Sequence, residues 1–179
     1  AADRTDLMYS VKEICRGMAN PEEKDWNRLK RLARYLSGCG RLVIKYAWQG
    51  AEDQIMSYSD SDWAGCRQTG KSTSGGALII GNHLIVYCRD ARVKSMMADW
   101  GRDKKGTLYA ESSAALGIAK RKGAGKLRHI KINTLWVQEV QDREGVTYQK
   151  VLGTDNPADL MTKSLTRDVI NGHMEKLGQ

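Results

Sequence analysis

The spacing of hydrophobic positions changes several times along the chain. From Asp3 to Met18, Leu7, Val11, Ile14, Cys15 and Met18 recur at steps of three and four, which predicts an amphipathic helix. A second helix is predicted next, with Asn20 as N-cap, Pro21 at the first helical position, acids in the first turn and Gly38 past the end. Its apolar stripe, Trp26, Leu29, Leu32, Ala33 and Leu36, is flanked by Arg28, Lys30, Arg31 and Arg34 and is the expected helix-pairing surface. After Gly40 the period falls to two. "RLVIKYAW" (41–48), "QIMSYSD" (54–60), "GGALIIG" (75–81) and "HLIVYC" (83–88) read as three or four antiparallel strands joined by short turns. Beyond Cys88 there is room for two helical turns around Met96 to Trp100, and then the strand "TLYAE" (107–111). A helix with a hydroxyl cap follows in "SSAALGIAKRKG" (112–123), then a basic loop and a helix with Ile132, Leu135, Trp136 and Val140 on one face. The strand "VTYQKVLG" (146–153), a helix opening on Pro157, and a surface helix or fraying tail complete the chain.

A strand meander feeding into β-α units predicts an α/β fold with a mixed sheet and helices on its faces. Three acids stand at element boundaries of such a sheet. Asp60 ends a strand, Glu111 ends another, and Asp159 lies in the first turn of the helix after the last strand. Aspartate is a poor strand residue, so Asp60 needs a reason beyond folding. Singly, each acid has an ordinary reading: a solvated strand end for Asp60, and a helix N-terminal acid for Glu111 and Asp159. Together they are candidates to converge. Converging carboxylates repel unless a cation lies among them, and Mg²⁺ suits a few carboxylates with water and phosphate oxygens. Two such ions stabilise the attacking and leaving oxygens of phosphodiester hydrolysis.

Composition adds a prior on partners. The 179 residues, 41% hydrophobic, suffice for one domain with or without an appendage. Lys and Arg outnumber Asp and Glu by 29 to 21, a formal charge of +8 that favours polyanions. Lys120, Arg121, Lys122, Lys126, Arg128 and Lys131 fall in a stretch without an acid, with His129 inside it and Gly123 and Gly125 allowing close backbone approach. A phosphate-tracking loop is one reading and a solvated charged loop the other. Lys71, Ser72 and Thr73 offer further donors just after Asp60. The spacing of Cys15, Cys39, Cys66 and Cys88 matches no zinc site or compact disulfide framework, so reduced thiols and an intracellular setting, cytoplasmic or nuclear, are expected. No apolar run is long enough for a bilayer, no membrane partner is expected, and the first residues read as if cut from a longer chain.

Four ordered motifs narrow the choice. "YSDSDWAGCRQTGKSTSGGALIIGNHLI", "LYAESSAALGIAKRKG", "LRHIKI" and "TDNPADLMTKSL" resemble the ribonuclease H segment of copia-type retrotransposon polyproteins. The upstream "DLMYSVKEICRGMANPEEKDWNRLKRLARYL" is similar to the end of the reverse transcriptase in the same polyproteins. The resemblance implies a ribonuclease H-like mixed sheet with an N-terminal helical pair. It divides the chain into a reverse-transcriptase remnant (1–40), a ribonuclease H-like domain (41–166) and a C-terminal tail (167–179). Asp60 matches the family's first metal-binding aspartate, Glu111 stands where the family has aspartate, and Asp159 matches the last acid. Two Mg²⁺ ions, with Mn²⁺ as a substitute, an RNA·DNA hybrid as substrate and the rest of the Pol polyprotein as partner are implied with them. The family's glutamate, on a helix after the third strand, has no counterpart between Cys88 and Thr107, where the acids are Asp90, Asp99 and Asp103. Part of that helix is therefore missing, and weakened or lost cleavage is expected. A nucleic-acid-binding remnant that does not cut, or a decayed fragment that does not fold, are the alternatives.

Overall fold

The computed structural model describes residues 4–50, 54–62, 70, 72–86, 105–123, 138, 141 and 145–179. Its centre is a five-stranded mixed sheet in the order β3-β2-β1-β4-β5, formed by β1 (Gln54–Asp62), β2 (Thr73–Ile80), β3 (His83–Val86), β4 (Lys105–Ala110) and β5 (Thr147–Lys150). The β1–β2 and β2–β3 pairs are antiparallel, and β4 joins β1 in parallel, as β5 joins β4. The meander followed by β-α units is thus present. Gly81, at φ 60°, makes the tight turn between β2 and β3 in a conformation that a side chain would strain.

The strand expected at 41–48 is absent: residues 41–50 form no ladder. Their polar groups go elsewhere. The Lys45 N–H donates to the Gly178 carbonyl (2.8 Å), the Tyr46 hydroxyl to the Leu84 carbonyl (3.3 Å), and the Gln49 amide to the Ile80 carbonyl (3.0 Å). Alternation alone therefore marked a segment that crosses the β2–β3 turn and leaves Trp48 98% exposed.

Helices α1 (Met8–Arg16), preceded by a 3₁₀ turn at Thr5–Leu7, and α2 (Glu23–Gly38) form the expected pair. The N-cap of α2 is Glu22, not Asn20: Glu22 and Asp25 bond each other's backbone N–H in a capping box, which outcompetes the shorter Asn20 two residues earlier. Gly38 lies inside the helix, which ends on Cys39. The pairing face also differs from the expected stripe. Trp26, Leu29 and Leu36 remain exposed, whereas Asp25 is buried and Leu32, Tyr35 and Cys39 are half-buried. Asp25 accepts from the Glu22 N–H (3.2 Å) and the Arg28 guanidinium (3.0 Å), and Asp6 organises the rest of this polar face. The Arg4 guanidinium (2.8 Å) and Tyr35 hydroxyl (2.8 Å) both donate to its carboxylate. Burial alone would raise the Asp6 pKa, but these two donors outweigh it and hold the carboxyl below its ordinary value. The same environment pushes the Tyr35 phenol up to about 12, through burial first and then its bond to Asp6.

One face of the sheet carries Met56 and Tyr58 of β1 beside Ala77 and Ile79 of β2, with Leu84 of β3. Two short helices cover it: α4 (Asp159–Thr162) contributes Leu160, and α5 (Arg167–Lys176) leads to Leu177, which is 1% exposed. The last residues are therefore a core element and not a fraying tail, since Ile170, Met174 and Leu177 face inward at helical spacing. The Thr5 hydroxyl bonds the Gln179 side chain and pins that end. On the other side, α3 (Ser113–Lys120), capped by the Ser112 hydroxyl on the Ala115 N–H, packs Leu116 and Ala119 against Tyr148 and Leu108. It ends at Lys120, before the expected Gly123, whose φ of 77° cannot continue a helix. Each fully buried large apolar side chain in these clusters contributes about 1.5–3 kcal/mol. Among the described residues no helix is long and apolar enough to cross a membrane.

Candidate metal centre

The parity of β1 decides how Asp60 is placed. Met56, Tyr58 and Asp60 alternate onto the same face, so the acid points inward, toward the helix-covered side, and its side chain is only 8% exposed. Opposite it in register is Gly75, whose missing side chain lets α4 lie directly on the sheet. A Cβ at Gly75 would stand 2.8 Å from the Ala158 carbonyl oxygen and 2.9 Å from Thr162 Cγ2. The loop entering α4 is fixed by Asn156, which is fully buried and donates from Nδ2 to the Ser59 carbonyl (3.2 Å) while accepting the Ala158 N–H (3.2 Å). Pro157 thus opens a polar turn, and α4 proper begins at Asp159.

Glu111 follows β4, the parallel neighbour of β1, and so reaches the same edge of the sheet. Its extra methylene relative to aspartate does not carry it out of reach. Gly153 leaves the space: a Cβ there would meet Glu111 Oε1 at 2.8 Å. As a result Asp60, Glu111 and Asp159 each present a carboxylate oxygen within 4.8 Å of the others.

Lys163 lies among them. Its Nζ donates to Glu111 Oε2 (2.8 Å) and Asp159 Oδ2 (3.0 Å) and stands 3.7 Å from Asp60 Oδ1. The Thr162 hydroxyl donates to Asp60 Oδ2 at 2.5 Å. One ammonium does not neutralise three carboxylates. Burial pushes the Asp159 carboxyl up to about 6 against the pull of Lys163, and the charges of Asp60 and Glu111 add to the rise. Burial would lower the Lys163 pKa, but its bonds to Glu111 and Asp159 raise it above the ordinary lysine value.

Asp159 Oδ1 is buried and has no hydrogen-bond partner among the described residues, as is also true of both ring nitrogens of His173 and of the Nε2 atoms of His83 and Gln179; of these it alone is a carboxylate oxygen. An orphaned carboxylate oxygen within a cluster of hard oxygen donors fits a divalent cation of the Mg²⁺ class. Asp60, Glu111 and Asp159 would hold it.

Of the expected nucleic-acid contacts, Lys71, Lys126, Arg128, His129 and Lys131 lie outside the described residues, as do Asp90, Asp99, Asp103 and the helical turns around Met96 to Trp100. Ser72 is exposed, and Thr73 is a junction: its hydroxyl accepts from Arg16 (3.0 Å) and Lys12 (3.4 Å) of α1, and its N–H donates to the Asp62 carboxylate. Lys120 and Lys122 are exposed and Arg121 half-buried at the far end of α3, whose eight residues place them about 12 Å along its axis from the Glu111 end. Sequence reasoning missed Lys163, Thr162, Asn156, Gly75 and Gly153. The Asp159–Lys163 spacing of four was a readable signal for the first of these.

No family model and no solved structure matches the chain. Curated relatives do. The retrovirus-related Pol polyprotein from transposon TNT 1-94 of Nicotiana tabacum is 25% identical over 191 residues, 92% of this chain and 14% of its own length. That from transposon RE1 of Arabidopsis thaliana is 23% identical over 205 residues, 99% of this chain and 14% of its own length. That from transposon RE2 of the same plant is 38% identical over 87 residues, 49% of this chain and 6% of its own length. The chain is therefore similar, over nearly all of its residues, to a stretch of transposon Pol polyproteins, and it spans about a seventh of the length of the first two. The RE1 alignment is longer than the 179 residues here, so the relative has positions without a counterpart in this chain.

Proposed function

We propose that this stretch of a transposon polyprotein is a ribonuclease H-like domain of the copia type, a divalent-metal hydrolase for the RNA strand of RNA·DNA hybrids, working at reduced rate. The convergence of Asp60, Glu111 and Asp159 within 4.8 Å carries this reading, since chain-distant acids are brought together at the edge of a mixed sheet. The chemistry that divalent ions supply there when bound is activation of a water and stabilisation of the leaving 3′ oxygen. The chain's own residues do the rest. Thr162 and Lys163 orient the carboxylates, Gly75 and Asn156 set the position of α4, and Lys120 and Lys122 offer charge for the phosphate backbone. A hybrid would be held by backbone shape and 2′-hydroxyls with little base preference.

Reduced rate follows from the sequence between Cys88 and Thr107, which contains no glutamate to act as a fourth ligand. The surplus positions in the RE1 alignment support a missing segment. An intracellular site of action and association with the remaining polyprotein belong to the same proposal. The test is incubation of an end-labelled hybrid with the purified chain in Mg²⁺ and in Mn²⁺, beside Asp60→Asn. Slow metal-dependent cutting, abolished by the substitution, is expected. Salt-sensitive hybrid binding without any cutting would overturn the hydrolase and leave a binding module.

A further inference from the structure

Lys163 occupies the point toward which the three carboxylates converge. Its side chain is 38% exposed and that of Glu111 42%, while Asp60 and Asp159 are 8% and 5% exposed, so the ammonium reaches the two buried acids from the solvent side. Its flexible stem borders a cleft lined also by Asp6, Tyr9 and Ser10, which gives the ammonium space away from the acids. What it leaves unsatisfied is equally specific: Asp159 Oδ1 still has no partner among the described residues.

We propose that Lys163 is the resident cation of this centre: in the metal-free chain its ammonium holds Asp60, Glu111 and Asp159 together, and a divalent cation enters by displacing it. The inference rests on the metal-binding reading above and specifies how that site is kept folded and how its affinity is set. Three carboxylates within 4.8 Å repel one another without a counter-charge, so removing the ammonium destabilises the empty site. The filled site loses nothing, because the ion replaces the lysine. Both effects push the same way, toward tighter metal binding at the cost of a weaker apo fold. Lys163 is a positioning residue in this scheme, and metal binding releases its charge toward solvent, where a phosphate backbone would lie.

The experiment compares the wild-type chain with Lys163→Gln by thermal unfolding in EDTA and by calorimetric titration with Mg²⁺. The glutamine variant is expected to melt several degrees lower in EDTA and to bind Mg²⁺ about tenfold more tightly. An unchanged or higher midpoint in EDTA would overturn the proposal. So would an unchanged or weaker Mg²⁺ affinity when the wild-type chain binds the ion, which would make Lys163 a structural contact only. If neither chain binds Mg²⁺, the metal reading itself fails and takes the inference with it. Should Lys163→Gln not fold in EDTA, the double substitution with Asp159→Asn distinguishes the cases. Restored folding supports carboxylate repulsion as the cause, and continued unfolding overturns it.

Discussion

Replacing Gly75 with valine is expected to destabilise the chain by about 1–3 kcal/mol and to abolish metal-dependent cutting altogether. The second effect is the larger, and it arises without touching an acid. A side chain at this position meets the Ala158 carbonyl oxygen at 2.8 Å, Thr162 Cγ2 at 2.9 Å and Met161 Cβ at 3.1 Å, two of them backbone or backbone-near atoms that cannot rotate away. Helix α4 must then lift from β2. Asp159 moves with it, as do Thr162 and Lys163, whereas Asp60 remains on β1 opposite the substituted residue. Productive geometry tolerates roughly 0.5 Å, and relief of a clash this close requires at least that much. Gly117→Ala is the control: nothing lies within 4 Å of that position in α3, and helix propensity predicts a gain of up to about 1 kcal/mol with activity intact. Thermal unfolding beside hybrid cleavage for the two variants checks both halves of the expectation.

Asp159→Asn is expected to move stability and metal response in opposite directions. Burial raises the Asp159 carboxyl from 3.8 to about 6, so the ionised form is disfavoured in the folded chain. A folded pKa above the unfolded one means that the native state binds the extra proton between those two values. Its contribution to stability is fully present below about pH 4 and lost as pH rises through about 6. A shift of this size corresponds to roughly 3 kcal/mol, an upper figure for what the metal-free chain forgoes above pH 6. Asparagine removes that penalty and keeps an oxygen for the Lys163 ammonium. In EDTA the variant should be more stable than wild type at pH 7.5 and equal to it near pH 4, while the rise in melting midpoint with added Mg²⁺ disappears. Denaturant unfolding across pH measures the first effect and a metal titration of the midpoint the second.

These predictions draw on features that were unequally visible in the sequence. The alternation of Met56, Tyr58 and Asp60 is visible in the sequence and carries the aspartate onto the face that the structure buries, because strand parity is local. Glu111 and Asp159 were readable as boundary acids for the same reason. What brought them within reach of one another was not local. Parallel pairing of β1 with β4, and the approach of α4 to a bare glycine on β2, depend on contacts between residues far apart in the chain. Residues 41–48 show the converse. Their alternation matches a strand, but a strand requires a partner edge, and the C-terminal turn and the Gln49 side chain take the groups that would have formed the ladder.

Helix α2 illustrates a second limit. Its most apolar stripe is the expected pairing surface, yet the face that packs carries Asp25 and Tyr35, because Asp25 accepts from the Glu22 N–H and the Arg28 guanidinium while Tyr35 joins Arg4 on Asp6. An apolar moment ranks faces by burial energy alone and has no entry for hydrogen-bonded polar contact. The C-terminal helix differs in the opposite sense: the spacing of Ile170, Met174 and Leu177 is visible in the sequence, but the β2 and β3 side chains that Ile170 and Leu177 pack against are not. Lys163 stood in a recognised motif four residues after Asp159, and only the geometry shows it facing three acids at once.

The most direct measurement is the number of Mn²⁺ ions held by the purified chain, read by electron paramagnetic resonance beside Asp60→Asn and Asp159→Asn. Saturable binding by the wild-type chain, weakened at least about tenfold by either substitution, is the expected result. Equal binding by all three chains would show that the carboxylates do not act as one centre, and would contradict the metal-binding reading.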